Sequence, residues 1–397
     1  MEGTNREEAA DRVRSYRRRA VLLMSSRLAF NRNELAGAFG DIGTDLPLII
    51  GMIAAAQLDS ASVLVMFGAM QILSGITYGL PMPVQPLKAV AAIVITQHVA
   101  GDVLFGGGLA IGVTMLVLSL SGAIEFLGAL IPKIVIRGIQ LGLGLQLSLI
   151  ALREYLPTDG VPGYILAGLT LVLGVVLYAN RRWPSALLMI LLGIIYALLF
   201  TVDLRSLAPV EVRLPSLRTP SWEAVVQGFL LLALPQIPLS LGNSIYATHR
   251  IVRDYFPERE IGVKKISLTY SIMNMINPFF GGIPVCHGSG GMAGHVTFGA
   301  RTGGSVVIYG MLYLVVGLLF SHDFNSVFLL FPKPVLAVIL LFEGTALMSL
   351  VKDGAEQKVE LTIALFTGVI AAGVPYGFLV AMIVGTVLFY AQRSLKW

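Results

Sequence analysis

The sequence predicts an all-α polytopic membrane protein with about fourteen transmembrane segments, arranged as two inverted halves of seven. Three observations lead to this fold class. Of the 397 residues, 56% are hydrophobic and 13% are charged, and a soluble domain averages about 25% charged residues. Apolar runs follow one another along the whole chain, separated by short polar or Pro/Gly breaks. Several motifs also recur roughly 200 residues further on.

The apolar runs define the predicted spans. The third and the tenth fall short of the about 20 residues that a bilayer requires. Short, interrupted spans at matching places in two halves are typical of a transporter's binding site. The predicted spans cover residues 36–56, 60–79, 84–98, 103–128, 134–152, 162–179, 184–201, 223–245, 264–281, 286–299, 303–321, 334–350, 358–373 and 375–392.

The third span opens with residues 81–92, which read PMPVQPLKAVAA. Proline lacks a backbone N–H and disfavours helix in the residue before it, so Pro81, Pro83 and Pro86 predict an extended piece followed by a short helix. Backbone that is not helical at membrane depth persists only where protein or a water-filled cavity satisfies its polar groups. The segment is therefore the first candidate for a ligand site.

The basic residues predict the orientation. With the arginine-rich N-terminus taken as cytoplasmic, 22 lysines and arginines fall on the inner side and five on the outer, and Lys88 alone lies within the membrane. This bias favours a multi-pass protein of the cell membrane with both termini cytoplasmic. It also explains the net charge of +5 without nucleic acid as a partner.

Three motif pairs indicate an internal duplication. Ile131-Pro132-Lys133 matches Phe331-Pro332-Lys333 at an offset of 200 residues, and Pro83-Val84 matches Pro284-Val285 at 201. Ile42-Gly43-Thr44 resembles Leu241-Gly242-Asn243 at 199. Because seven spans is an odd number, the second copy is inverted in the membrane. The two broken segments should enter from opposite faces and meet near the middle.

Four stretches place small or polar residues inside apolar spans, namely residues 40–47, 83–88, 239–244 and 281–295. A half-helix that begins at the membrane midplane exposes free N–H groups and about half a positive charge, so two converging half-helices predict an anion site. Lys88 adds a full charge and needs an anionic substrate or a carboxylate beside it. The other predicted substrate-binding residues supply hydroxyl, amide, imidazole or backbone donors: Thr44, Gln85, Asn243, Ser244, His287, Gly288, Ser289, Gly290 and Gly291.

Each of these residues also has a structural interpretation. Glycines allow close helix packing in membranes, and His287 could serve only as a hydrogen-bonded core residue. Asp41 and Asp45 could form a structural charge cluster with Lys88, and Glu343 could line a helix contact rather than carry protons. His98 and His295, which lie toward helix ends, are predicted to be structural. Gln140 and Gln146 are predicted to hydrogen-bond across helices.

The motifs FGDIGTDLPL, PMPVQPLKAVAA, LPLSLGNS and GGIPVCHGSGGMAGHVTFGAR resemble the signature segments of the molybdate transporter family, which is related to the SulP sulfate transporters. The resemblance implies the seven-plus-seven inverted-repeat fold of nucleobase and anion transporters, in which a core domain carries substrate past a gate domain. It implies molybdate as the substrate, and the wider superfamily suggests a homodimer. Asp45 departs from the neutral residue expected there, and the chain stops at Trp397, so no C-terminal regulatory domain is expected.

The resemblance implies a core domain that comprises residues 34–130 (spans 1–4) and 223–322 (spans 8–11). The gate domain comprises 131–201 (spans 5–7) and 323–397 (spans 12–14 and a short tail). Residues 1–33 form a basic cytoplasmic segment, for which a helix resting on the lipid bilayer is one conformation, and 202–222 form an external loop.

We expect a proton-coupled secondary transporter that imports molybdate, with Asp41, Asp45 and Glu343 as proton carriers. A sulfate or other oxyanion carrier would use the same residues. A nucleobase carrier would need an acid opposite the tenth span, and a channel would need a filter motif. The sequence predicts no enzyme, because no nucleophile with an orienting base appears. No cofactor or metal is expected, since Cys286 is the single cysteine and the five histidines lack ligand spacing.

Overall fold

The computed structural model describes residues 27–177, 185–201, 212–320, 329–354 and 358–394. Residues 1–26 of the predicted basic N-terminal segment and 202–211 of the predicted external loop lie outside this range. The regular secondary structure of the described part is helical apart from two short strands. The prediction of a mostly helical membrane protein is confirmed.

The first half contains nine helices and one strand within its described residues. Between α7 and α8 the chain makes a π-helical turn, Ala151–Tyr155, and a 3₁₀ turn, Leu156–Asp159. The elements are α1 Arg32–Ala38, α2 Ile42–Ala56, α3 Ser60–Tyr78, β1 Val84–Pro86, α4 Lys88–Gln97, α5 Gly101–Ser121, α6 Ala123–Leu130, α7 Lys133–Ile150, α8 Gly160–Leu177 and α9 Ser185–Phe200.

The second half also contains nine helices and one strand within its described residues. Two π-helical turns, Phe229–Ala233 and Ser240–Ala247, join its first three helices, and 3₁₀ turns Asn277–Phe280 and Leu350–Gly354 follow α13 and α16. The elements are α10 Trp222–Gly228, α11 Leu234–Leu239, α12 Thr248–Tyr255, α13 Val263–Ile276, β2 Val285–His287, α14 Ser289–Thr297, α15 Gly304–Phe320, α16 Lys333–Ser349, α17 Lys358–Gly373 and α18 Gly377–Ser394.

Each of the fourteen predicted apolar runs contains a helix, yet fewer of the helices can cross a membrane. Six continuous helical stretches among the described residues are long and apolar enough, with residues 133–177 and 222–255 each counted as one stretch. A seventh is added if α1 and α2, which meet at a 42° bend, form one span. The helices α4 and α14 have 10 and 9 residues, and a crossing needs about 20. The described helices therefore support six to seven apolar spans, and the count of fourteen stays a prediction.

The two broken segments meet, as the duplication predicts. Strands β1 and β2 pair antiparallel, with Val84 opposite His287 and Pro86 opposite Val285. Each strand runs into its helix after one residue, Leu87 or Gly288. The antiparallel register therefore makes α4 and α14 leave the ladder in opposite directions, with their N-terminal ends beside it.

Two buried amide side chains complete the outer edges of this small sheet. Gln71 donates to the Val84 carbonyl (2.7 Å) and accepts from the Val84 N–H (2.9 Å). Asn274 does the same for Val285, at 2.6 and 2.9 Å. An isolated two-stranded sheet leaves backbone groups unpaired, which is costly in an apolar environment. Both amides stand inside apolar spans, 203 residues apart, and they were not among the predicted site residues.

Helices from the two halves of the chain also pack against each other. Helix α3 packs along α15, and α5 packs along α13. Small residues allow the close approach. A Cβ atom added to Gly75 of α3 would lie 2.6 Å from the carbonyl oxygen of Gly303, and one added to Gly112 of α5 would lie 2.8 Å from the backbone nitrogen of Met275. Larger residues at these glycines would separate the helices.

Two prolines interrupt the regular α-helical pattern of the long helix formed by residues 222–255. Pro235 and Pro238 lie within it and have no N–H to donate, so the α-helical hydrogen-bond pattern is interrupted there. The flanking turns are π-helical, a form often found at functional sites. The second π-helical turn, Ser240–Ala247, carries the predicted polar residues Asn243 and Ser244.

Candidate anion-binding site

A cavity of about 270 Å³ lies where the two broken segments meet. Eight of the ten predicted substrate-binding residues line it; Thr44 and Gly291 do not. It is lined by Gln85, Lys88, Leu143, Gln236, Leu239, Asn243, Ser244, Ile251, Cys286, His287, Gly288, Ser289, Gly290, Glu343, Ala346, Leu347 and Leu350.

Both short helices begin at this cavity. Lys88 is the first residue of α4 and Ser289 the first of α14, and neither helix shows a side-chain hydrogen bond at its N-cap within the described residues. The first N–H groups of a helix have no partner inside it, and they carry partial positive charge. The cavity thus combines two helix N-termini with a lysine, which is a chemistry suited to an anion.

Lys88 forms an ion pair with Glu343 of α16. The carboxylate also accepts a hydrogen bond of 3.2 Å from the Thr44 hydroxyl. The pair is only partly buried, since the two side chains are 18% and 19% exposed. The prediction that Lys88 requires a carboxylate or an anion is met here by a carboxylate, and Glu343 does more than line a helix contact.

Gln85 lines the cavity, but its amide nitrogen is bonded to another side chain. The nitrogen donates to Asp41 Oδ1 at 2.6 Å. Gly288 permits this arrangement, because a Cβ atom there would lie 2.8 Å from Gln85 Cγ and closer still to its amide. Asp41 Oδ2 and both carboxylate oxygens of the fully buried Asp45 find no hydrogen-bond partner among the described residues.

The imidazole of His287 is held within the protein. One ring nitrogen lies 2.8 Å from Thr269 Oγ1 and the other 3.2 Å from the carbonyl oxygen of Pro83. The ring also packs edge-on against Tyr78. Because both nitrogens are engaged, the geometry supports the structural interpretation of this side chain over the substrate-donor one.

The glutamines of α7 bond across helices, as predicted. Gln140 donates to Asn243 Oδ1, and Gln146 donates to the carbonyl oxygen of Ala371 in α17 at 3.3 Å. The bond from Gln140 ties α7 to the π-helical turn. His295 is buried and lies 3.1 Å from Ser305 Oγ, in line with a structural role.

The two remaining predicted substrate-binding residues, Thr44 and Gly291, do not line the central cavity, where the two broken segments meet. Thr44 lines a second cavity of about 250 Å³ on the other side of Glu343, together with Gly40, Gly43 and Phe342. Gly291 packs against Asp41 and Pro83. Gln236 is a buried residue that also lines the central cavity, and it was not among the predicted site residues. Its position as an amide between two prolines in an apolar span could have indicated it.

Adjacent glycines allow a matched test of this geometry. A Cβ atom at Gly291 would lie 2.6 Å from Asp41 Cγ and 2.9 Å from Pro83 Cγ, whereas one at Gly290 would meet nothing within 4 Å. We expect Gly291→Ala to lower stability by about 1–3 kcal/mol, the usual cost of overpacking, and Gly290→Ala to leave stability unchanged. Thermal unfolding of the two variants in detergent measures the difference; equal melting temperatures would contradict it.

The fold and the cavity define a class of protein, an integral membrane transporter for anions. Comparison with solved structures supports the fold. The transmembrane domain of a cyanobacterium bicarbonate transporter, BicA, superposes with a TM-score of 0.62 at 18% identity, over 88% of this chain and 99% of that domain. Murine Solute Carrier 26 family member A9, an anion transporter in the inward-facing state, gives a TM-score of 0.70 at 12% identity, over 95% and 71%.

Sequence comparison identifies the family. A family model described as "Molybdate transporter of MFS superfamily" matches residues 33–147 and 228–347. Molybdate transporters 1 and 2 of Arabidopsis thaliana are each 33% identical to this chain, over 84% and 81% of it and 81% and 79% of their own lengths. Molybdate transporter 1 of Chlamydomonas reinhardtii is 26% identical over 92% of the chain. The chain belongs to the molybdate transporter family, as its motifs indicated.

Proposed function

We propose that this protein is a secondary active transporter that imports molybdate with protons across the cell membrane. The observation that carries the proposal is the cavity where the N-termini of α4 and α14 meet beside Lys88. Membership of the molybdate transporter family supports the choice of substrate. Sulfate or another tetrahedral oxyanion is the alternative substrate, since the same groups would bind it.

In the proposed complex the dianion lies between Lys88 and the first turn of α14. The ammonium group supplies charge, the Ser289 hydroxyl donates a hydrogen bond, and glycines 288 and 290 leave the backbone accessible. In this structure Glu343 already neutralises Lys88. A dianion entering beside this carboxylate meets repulsion unless Glu343 takes up a proton or withdraws.

The competition between Glu343 and the substrate for Lys88 offers a route for coupling molybdate transport to proton transport. A proton on Glu343 frees Lys88 for the substrate, so substrate and proton are bound together. Asp41 and Asp45 stand behind the cavity as further proton carriers. An unpaired carboxylate costs several kcal/mol to bury, and the oxygens of Asp45 find no partner in the described part of the chain, so we propose that Asp45 holds a proton in this state.

Alternating access would move the core domain, residues 34–130 and 223–322, against the gate domain, residues 131–201 and 323–397. Three contacts described above cross this proposed boundary: Lys88 with Glu343, Thr44 with Glu343, and Asn243 with Gln140. Each involves a residue that lines the cavity, and each would have to break or rearrange as the domains slide. Substrate binding at Lys88 would thus loosen one of them.

The test of the substrate is thermal stabilisation of the purified protein by molybdate, tungstate, sulfate, phosphate and uracil, each at pH 5.5 and 7.5. A ligand at a hundred times its dissociation constant adds about 2.7 kcal/mol of apparent stability. We expect molybdate and tungstate to stabilise, more strongly at pH 5.5. Stabilisation by uracil without molybdate would overturn the proposal and favour a nucleobase carrier that uses Glu343 as its acid.

Asp45→Asn tests the proposed proton at that position. Asparagine resembles a protonated carboxyl in shape and cannot ionise, so we expect folding and molybdate binding to stay within about twofold of the wild type, or roughly 0.4 kcal/mol. If Asp45 gives up its proton during the cycle, uptake falls at least tenfold while binding is kept. Loss of binding as well would show that the ionised form is required and contradict the proposal.

A further inference from the structure

The second cavity, of about 250 Å³, lies between the proposed core and gate domains. Gly43 and Thr44 of α2 line it from the core side, and residues of α8, α9 and α16 line it from the gate side. Glu343 and Ala346, one turn apart on α16, line this cavity and the central one. The wall between the two cavities therefore carries a carboxyl group that faces both.

The two carboxylate oxygens of Glu343 are bonded on different sides of this wall. Oε1 pairs with the ammonium group of Lys88, which lines the central cavity and not the second. Oε2 accepts the hydrogen bond of 3.2 Å from the hydroxyl of Thr44, which lines the second cavity and not the central one. A proton can therefore reach or leave Oε2 without passing Lys88 or a substrate beside it.

The second cavity has the room and the polar groups that bound water requires. A protein cavity of about 15 Å³ already holds one water molecule where polar partners are present, so this one has room for several. Thr44, Ser185 and Glu343 line it and supply two hydroxyls and a carboxylate. Water in this cavity can thus hydrogen-bond to Glu343 directly.

Three other charged or titratable groups act on Glu343. Lys88 is its ion-pair partner, and Asp41 and Asp45 lie near enough to interact with its carboxyl group electrostatically. None of these three lines the second cavity, and Glu343 is the one titratable residue in the described part of its lining. The second cavity therefore gives access to this carboxyl group in particular.

We propose that the second cavity is a water-filled route by which the transported proton leaves Glu343, separate from the route of the oxyanion; this rests on the proposed function. The O–H bond of the protonated carboxyl breaks at Oε2, water in the second cavity accepts the proton, and the carboxylate pairs again with Lys88. A proton released into the central cavity would instead meet the positive charge of Lys88. The oxyanion, which that charge attracts, leaves from the central cavity.

The predicted orientation places this route near the cytoplasm. Gly40 and Gly43 lie near the start of the first predicted span, and Ser185 and Ala186 lie at the start of the seventh. With the N-terminus inside, both spans begin at the inner face of the membrane. A proton that leaves Glu343 through the second cavity is then released to the cytoplasm, as import requires.

The test separates net uptake from exchange. Net uptake of molybdate driven by a pH gradient requires Glu343 to lose its proton in every cycle. Counterflow, the exchange of labelled for unlabelled molybdate across the membrane, proceeds with the proton retained. Both rates are measured in proteoliposomes, beside equilibrium binding of molybdate and the melting temperature of each variant.

Two variants change the proposed proton route, and each has a matched control. Ala186→Leu fills part of the second cavity, whereas Ala186→Ser leaves it open. Thr44→Val removes the hydroxyl that is bonded to Glu343. Thr170→Val removes a hydroxyl of α8 that donates to the carbonyl oxygen of Leu166 and does not line the cavity.

For Ala186→Leu and Thr44→Val we expect the ratio of net uptake to counterflow to fall at least fivefold, while both controls keep the wild-type ratio. If Ala186→Leu fails to fold, Thr44→Val decides. A wild-type ratio in the folded route variants would overturn the separate proton route, as would an equal loss of counterflow. A wild type that binds no molybdate, or whose uptake does not respond to a pH gradient, would instead refute the proposed function, and the proton route with it.

Discussion

Replacing Lys88 with alanine is expected to abolish molybdate uptake while leaving the protein folded. The ammonium group is the one full positive charge at the central cavity among its described lining residues. Without it a dianion would lie beside Glu343 with only helix dipoles and neutral donors to offset the repulsion. Uptake into proteoliposomes should fall at least a hundredfold, which corresponds to about 2.7 kcal/mol.

Folding should survive because the Lys88 side chain is partly exposed, at 18%, and water can solvate the carboxylate left behind. Lys264→Ala, an exposed lysine of α13, serves as the matched control and should transport normally. Lys88→Arg tests charge against shape: partial recovery of uptake would identify charge as the requirement. Uptake by Lys88→Ala within twofold of wild type, at equal protein levels, would remove Lys88 from the site.

Glu343→Gln is expected to have the opposite effect on binding. The variant keeps the shape of the side chain but removes the charge that opposes the substrate, so molybdate should bind at least tenfold more tightly at pH 7.5, or by about 1.4 kcal/mol. If the proton that accompanies the substrate is carried by Glu343, as proposed, the affinity of the wild type for molybdate depends on pH and that of the variant does not; binding measured at pH 7.5 and 5.5 in both proteins tests this.

Stability gives a second readout for Glu343→Gln. Without ligand the variant leaves Lys88 without its carboxylate partner, and because the pair is partly exposed the free energy of unfolding should fall only slightly. Molybdate restores a counter-charge and should raise the melting temperature of the variant more than that of the wild type. Glu360→Gln, in the first turn of α17 and outside the cavity lining, is the matched control. Weaker binding by Glu343→Gln would mean that the carboxylate supports the substrate rather than competing with it.

The membrane class, the family and the two broken segments were predictable from local features. Composition shows the membrane environment, because charge is excluded from apolar spans. Proline chemistry predicts an interruption at Pro83 and Pro86, since the missing N–H groups act within one turn. The offset of 201 residues between Pro83 and Pro284 predicts that the interruptions pair, and β1 and β2 do so.

The roles of individual polar residues were less predictable. A donor in the sequence can face the ligand or another part of the protein, and residue type does not distinguish them. His287 and Gln85 both line the cavity, yet Thr269, Pro83 and Asp41 occupy their polar atoms. Gln71 and Asn274 were overlooked because their task, pairing the edge of a sheet, exists only once the sheet has formed.

The sequence by itself therefore determined the environment of the chain and the places where its helices break, because these depend on composition and on chemistry between near neighbours. The family followed from the resemblance of four motifs. Only the tertiary structure decided which charges meet. Lys88 and Glu343 are 255 residues apart along the chain, and Arg137 approaches the site through Gln140 and Asn243. Such pairs follow from helix packing around the two strands, and no local pattern encodes them.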